Sequence, residues 1–338
     1  MGLTDLHAAP GKQNRDAHSG TSLNDVRFFT KQNMAHTTHV LSVLLTQLNS
    51  FCRAQLPPLH NVVGIELINE PQANGALEKW YLETAHALRK LDPRVPLYFG
   101  DAWQTDQYAT FIEVNSNSLA FMVLDHHLYR CFTQQDASTT VAQHTQNLRD
   151  PHASTPQLFA RVAQKLDGAG GALVIGEWSG ALNPGSMQNV TNEIEMRRDY
   201  IAAQVALYEK YCAGYYFWTY KKEHAGDKGW SFRDAVSAGV FPPYVGIRPD
   251  LIRNAKSGDS DGSSNSERAK RRYEAKEKAL SEYSKLRYAM WDSDAEYLAY
   301  VCACVRAMWC VRGVYTEDHA GFWAQYPGKY EHWRFGEG

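Results

Sequence analysis

The chain has 338 residues and a formal net charge of −2 at pH 7. That length is ample for a buried core, as one large domain or two ordinary ones. The near-neutral balance gives no electrostatic reason to expect nucleic acid or an anionic membrane as a partner.

Short apolar runs alternate with helix-like stretches along the chain. Residues 3–8 form a short run carrying Asp5-Leu6-His7, and an amphipathic stretch at 23–51 predicts a helix. Residues 62–69 read as the next strand and 76–91 as the next helix. A strand at 96–100 precedes a short helix at 106–113. The strand at 120–124 ends in Asp125-His126-His127-Leu128-Tyr129, and 156–166 is helical. The strand at 172–175 leads into Gly176-Glu177-Trp178-Ser179-Gly180, and 193–211 is a long helix. The last strand, 214–217, ends in Trp218-Thr219-Tyr220-Lys221, and 234–238 is the last helix of the series. This alternation predicts an α/β fold with a parallel sheet wrapped by helices. The count is six strand–helix units, two fewer than a closed (β/α)8 TIM barrel contains.

The character changes after about residue 246. Residues 247–314 are expected to be a linker and a charged, helical insertion. The linker is the polar run Ser257-Gly258-Asp259-Ser260-Asp261-Gly262-Ser263-Ser264-Asn265-Ser266. Residues 267–287 are charged and helix-prone. The apolar stretch 297–314 is short and carries Arg306 in its middle, so it predicts a buried helix and no membrane span. Residues 315–338 are rich in aromatics and are expected to pack on the outside of the 1–246 barrel as a C-terminal tail.

Six cysteines are scattered through the chain: Cys52, Cys131, Cys212, Cys302, Cys304 and Cys310. Their spacing fits no standard zinc pattern. The start, Met1-Gly2-Leu3-Thr4-Asp5, has no basic region ahead of an apolar stretch. The expectation is therefore free thiols, a reducing compartment, a cytoplasmic location and no bound metal. Asn189-Val190-Thr191 is a glycosylation sequon, which means little without secretion.

The chemistry-bearing feature is a pair of glutamates, each at the end of an apolar run. Glu70 follows Val62-Val63-Gly64-Ile65-Glu66-Leu67-Ile68-Asn69, and Glu177 follows Ala172-Leu173-Val174-Ile175-Gly176. An α/β barrel places its reactive groups at the C-terminal ends of its strands. Two carboxylates placed there are the minimum for hydrolysing a glycosidic bond, one as acid/base and one as nucleophile. Asn69 is positioned to hold a sugar 2-hydroxyl. His127 and Tyr129 alternate at a strand end, so both can face the same mouth, and Tyr129 can donate to the nucleophile and keep it ionised. His126 should point elsewhere. Trp218 offers an indole floor for a pyranose ring, and Phe132 and Trp103 can line the mouth. Carboxylates alone carry this chemistry, so no cofactor is expected.

Five motifs in order resemble glycoside hydrolase family 5, most of all its fungal exo-β-1,3-glucanase branch. They are Asp5-Leu6-His7-Ala8-Ala9-Pro10-Gly11-Lys12-Gln13-Asn14, Ile68-Asn69-Glu70-Pro71, Asp125-His126-His127-Leu128-Tyr129, Ile175-Gly176-Glu177-Trp178-Ser179 and Tyr216-Phe217-Trp218-Thr219-Tyr220-Lys221. The resemblance implies a retaining hydrolase of β-glucosides or β-glucans, with Glu70 as acid/base and Glu177 as nucleophile. It implies that His7, Asn69, His127, Tyr129 and Trp218 line the −1 sugar site. Tyr330-Glu331-His332-Trp333-Arg334-Phe335 resembles the tail of intracellular members.

The chain also departs from that pattern. In the family, the run holding Asp5-Leu6-His7 is the third barrel strand. The first two βα units, and an arginine near the nucleophile, have no counterpart here. Arg15-Asp16-Ala17-His18 stands where secreted glucanases carry an aromatic and an Asn. Residues 281–316 fit the tail poorly and read as an insertion. An open barrel exposes strand edges and apolar surface, so the expectation for this chain is poor solubility and weak or no activity. Two other readings share these residues: a β-glucosidase acting on a glycolipid, such as a steryl glucoside or glucosylceramide, and a non-catalytic barrel fragment.

Overall fold

The computed structural model describes residues 2–20, 25–56 and 62–242, which belong to one compact unit, Met1–Pro243. The expected linker, insertion and aromatic tail at 247–338 lie outside the described residues, as do Cys302, Cys304 and Cys310. Six strands form one sheet in sequence order. They are β1 (Gly2–Asp5), β2 (Val62–Glu66), β3 (Leu97–Gly100), β4 (Met122–Arg130), β5 (Ala172–Leu182) and β6 (Gly214–Phe217). All five neighbouring pairs are parallel.

The crossovers are the helices α1 (Lys31–Ala54), α2 (Leu77–Leu91), α3 (Thr105–Asn115), α4 (Gln134–Ser138), α5 (Val141–Arg149), α6 (Ser154–Gly168) and α7 (Glu193–Tyr211). A last short helix, α8 (Phe232–Ser237), follows β6. Strands buried under helices must be apolar on both faces, and β3 is buried at every residue. Among the described residues β1 pairs only with β2, and β6 only with β5, so the sheet stays open. It curls nonetheless. His7, just past β1, stacks on Trp218, just past β6, with ring centroids 5.7 Å apart. No helix among the described residues is long and apolar enough to cross a membrane.

Several elements differ from the sequence expectation. Helix α1 begins at Lys31, not 23, because Thr30 is an extended N-cap whose side chain accepts from Asn33 N–H. The residues before it are tied to the first loop: Arg27 N–H donates to Gly11 C=O at 2.6 Å, and Asn33 Nδ2 donates to Arg27 C=O at 2.8 Å. Strands β4 (Met122–Arg130) and β5 (Ala172–Leu182) run well past their apolar stretches, and most of their polar residues are drawn into the buried site. Helices α4 and α5 are short and polar, and each starts at a capping box, on Thr133 and Thr140.

The packing centre beneath β5 and β6 is Trp178, which is 1 % exposed. Tyr208, Tyr215 and Phe217 meet it edge to face at centroid distances of 5.3, 5.9 and 5.0 Å. Trp178→Ala is therefore expected to destabilise the unit by about 3–5 kcal/mol, read as a lowered midpoint in urea.

Candidate active site

The site lies at the C-terminal ends of the strands and begins with the loop after β1, whose Gln13-Asn14 closes the first of the five motifs. Gln13 is fully buried. Its amide donates to His7 C=O at 2.8 Å and to Asn69 C=O at 3.0 Å, while its oxygen accepts from Ala9 N–H. Next to it, Asn14 Nδ2 donates to Glu70 C=O at 2.8 Å, and Asn14 Oδ1 accepts from Asp16 N–H at 2.8 Å. These bonds clamp the turn after β2. They are needed there, because Glu70 has φ of 42°, a conformation that non-glycine residues adopt only when their surroundings impose it.

Glu70 projects towards β4. His127 Nδ1 donates to Glu70 Oε1 at 2.7 Å and lies 3.5 Å from Glu177 Oε2. Tyr129 donates its hydroxyl to the same Glu177 oxygen at 2.6 Å. The β4/β5 register produces this arrangement, pairing His127 with Glu177 after an irregularity between His126 and His127. Glu70, His127 and Glu177 each bring a side-chain atom within 4.8 Å of the others.

Beneath them lies a second acidic layer that the sequence did not single out. His127 Nε2 is 3.4 Å from Asp125 Oδ2. Asp125 accepts from Gly176 N–H at 2.6 Å. A Cβ on Gly176 would sit 2.2 Å from that carboxylate, so only glycine fits there. Glu66, on β2, is buried beside Asp125. One imidazole thus sits among Glu70, Glu177, Asp125 and Glu66.

The electrostatics follow from that crowding. Burial opposes charge on His127, but Asp125, Glu70 and Glu177 outweigh it and hold its pKa well above the ordinary value. Burial also raises Glu70, yet the bond and charge of His127, with His18 and His7 adding to them, leave it lowered. Glu177 comes out raised: burial and Glu70 push it up more than His127, Tyr129 and His7 pull it down. Burial, then Asp125 and Asp5, push Glu66 well above the carboxylate range. Burial and the Glu177 charge raise the Tyr129 phenol, so it stays a donor.

The remaining sequence candidates line the rim or the floor. His7 is half-buried, its Nδ1 2.7 Å from Asp5 Oδ2, and that bond raises its pKa. Asn69 is buried and its Nδ2 has no protein partner, so a donor is left free in the site. Trp218 is 43 % exposed over His7, and its peptide bond to Thr219 is cis. Phe132 is 70 % exposed and packs on Tyr129 and Trp230, with centroids 5.5 and 5.8 Å away. Trp103 is exposed beside Glu70 and His127, lining a narrow cleft with them. His126 is buried elsewhere, its Nδ1 2.7 Å from Asp101 Oδ2.

Sequence reading also missed His18, whose Nε2 is 3.2 Å from Glu70 Oε2, and Trp230, 5.3 Å from the Tyr129 ring. Neither stands at a strand end, so no spacing signal marks it. Two groupings have the donor types for a metal, Glu70–His127–Glu177 and Glu66–Asp125–His127. Both depend on His127, whose Nδ1 already serves Glu70. Hydrogen bonding and ion pairing therefore account for the clustering.

Tyr129→Phe removes the one hydroxyl that, among the described residues, donates to Glu177. The carboxylate should then be harder to ionise, moving the acidic limb of a pH–rate profile up by about one pH unit. A limb that stays in place would mean that the phenol does not hold the charge.

The model of the family described as "Cellulase (glycosyl hydrolase family 5)" matches residues 26–224. The chain is 31% identical over 245 residues to "Glucan 1,3-beta-glucosidase 3" of Schizosaccharomyces pombe, covering 71% of this chain and 48% of that protein. It is 28% identical over 268 residues to "Glucan 1,3-beta-glucosidase" of Yarrowia lipolytica, covering 71% of this chain and 61% of the relative. The chain thus spans about half to three fifths of the length of these relatives. A family 5 xyloglucanase structure from Paenibacillus pabuli matches 70% of each chain, with a TM-score of 0.44 and 14% identity.

Proposed function

Because the chain belongs to glycosyl hydrolase family 5, we propose that it is built to cleave β-glucosidic bonds with retention, Glu70 acting as acid/base and Glu177 as nucleophile. The observation that carries this reading is the approach of the two carboxyl groups to within 4.8 Å, both next to His127 Nδ1. Retaining hydrolases hold theirs about 5–5.5 Å apart, whereas inverting enzymes leave room for a water between them. Glu177 attacks the anomeric carbon while Glu70 protonates the departing oxygen. Glu70 then takes a proton from the water that releases the sugar. Tyr129 supports the nucleophile's charge. The free Asn69 Nδ2 is offered to the sugar 2-hydroxyl, His7 and Trp218 form one wall, and Phe132 marks the rim. The fungal relatives named as glucan 1,3-beta-glucosidases support a β-glucan or simpler β-glucoside as substrate.

A second reading, a sugar-binding barrel without turnover, draws on one observation. Glu70 is lowered and Glu177 raised, the reverse of what an acid/base and a nucleophile need. The two readings separate in one assay: hydrolysis of an aryl β-glucoside by the purified chain, beside Glu177→Gln. Turnover in the wild type alone supports the glycosidase. Sugar affinity without turnover in either protein supports the binder.

A further inference from the structure

His18 is absorbed by none of the roles above, yet it touches the acid/base. Its Nε2 lies 3.2 Å from Glu70 Oε2 and 3.1 Å from Asn14 Nδ2. The Asn14 amide cannot be flipped to suit it, because Oδ1 accepts from Asp16 N–H and Nδ2 donates to Glu70 C=O. Nε2 has a single in-plane site: it carries a proton or a lone pair. With a lone pair it accepts from Asn14, and it can face Glu70 Oε2 only if that oxygen bears a proton. With a proton it donates to an ionised Glu70, against the Asn14 N–H. The two arrangements differ by one proton moved between Oε2 and Nε2. The other Glu70 oxygen is occupied by His127 Nδ1 at 2.7 Å. The other titratable ring against His18 is His7, at a centroid distance of 5.4 Å, backed by Asp5. The His18 side chain is 34% exposed, so water can reach it.

Resting on the glycosidase reading above, we propose that His18 is a positioning residue that stores the proton used by Glu70. In the first step the Nε2 proton passes to the ionised Glu70 at Oε2 and from Glu70 to the departing glycosidic oxygen, so Glu70 ends the step ionised. In the second step the attacking water yields its proton to Glu70, and one proton returns to Nε2. The cycle closes with no net proton gained. A relay of this kind answers the charge problem of the site: Glu70 is held ionised at rest by His127, and its acid form is supplied from the other oxygen.

The test is 1H–15N NMR of histidine-labelled full chain, with His18 assigned through His18→Gln. The expected result is a His18 Nε2 nitrogen signal of the protonated, hydrogen-bonded type in the wild type, lost in Glu70→Ala and shifted in Glu70→Gln. Retention of the other histidine signals shows that each variant is folded. A His18 Nε2–H that is absent in the wild type, or unchanged in both variants, overturns the proposal. The same wild-type sample is treated with an activated 2-deoxy-2-fluoro-β-glucoside, which would leave a sugar on Glu177. Labelling without a Glu70-dependent His18 proton overturns the relay alone. A Glu70-dependent proton without labelling overturns the glycosidase reading, with the hydrogen bond itself intact.

Discussion

Glu177→Gln is expected to lower turnover of an aryl β-glucoside by on the order of 10⁴-fold or more while the protein stays folded. The amide is nearly the same size and still accepts from Tyr129, which lies 2.6 Å from Glu177 Oε2. It cannot form the covalent glycosyl intermediate. Folding should be unharmed, because the carboxylate being removed is one that burial already penalises. Glu70→Gln should behave differently. Its loss should be large for an alkyl glucoside, on the order of 10²–10⁴-fold, and much smaller for an aryl glucoside whose leaving group needs little help. Equal losses for both leaving groups would remove Glu70 from the acid role. Turnover of Glu177→Gln within about tenfold of wild type would remove Glu177 from the nucleophile role.

The strand order and the parallel sheet were legible in the sequence, because buried parallel strands leave a simple signal. Val62-Val63-Gly64-Ile65 and Leu173-Val174-Ile175 are apolar on both faces and bounded by polar or glycine residues. Glu70 and Glu177 were legible as carboxylates at the ends of such runs. Their approach to each other was implied only by the family resemblance. It depends on a register irregularity between His126 and His127 and on the left-handed backbone at Glu70, neither of which composition encodes.

The polar interior was equally hidden. Asp125, Glu66 and Gln13 are buried, although polar residues ordinarily mark strand ends and loops. For the same reason β4 and β5 extend well beyond their apolar stretches. His18 lies in a 3₁₀ turn with no periodicity, and only the fold brings it to Glu70. Local patterns therefore report the scaffold, while the site is assembled from contacts between loops that are distant in sequence.

His127→Ala is expected to destabilise the described unit by about 3–5 kcal/mol at neutral pH, the usual effect of removing one partner from a buried charged group. Among the described residues, His127 is the one cation within reach of the Glu70, Glu177 and Asp125 carboxylates at once, at 2.7, 3.5 and 3.4 Å. Its folded pKa lies above the ordinary value, so the folded state binds more protons than the unfolded one above about pH 6.5. The wild type should therefore hold the full stabilisation below that pH and lose it as pH rises through the folded value. In the variant the same carboxylates lose their cation and must be neutralised by protons of their own. The loss of stability with rising pH should then begin near the ordinary carboxylate range, about pH 4.5. Urea denaturation at pH 5 and pH 8 resolves the two patterns. The gap between wild type and His127→Ala should be wider at pH 8 than at pH 5. Equal gaps at both pH values would mean that His127 is neutral in the folded protein, and that the carboxylates around it share their protons without it.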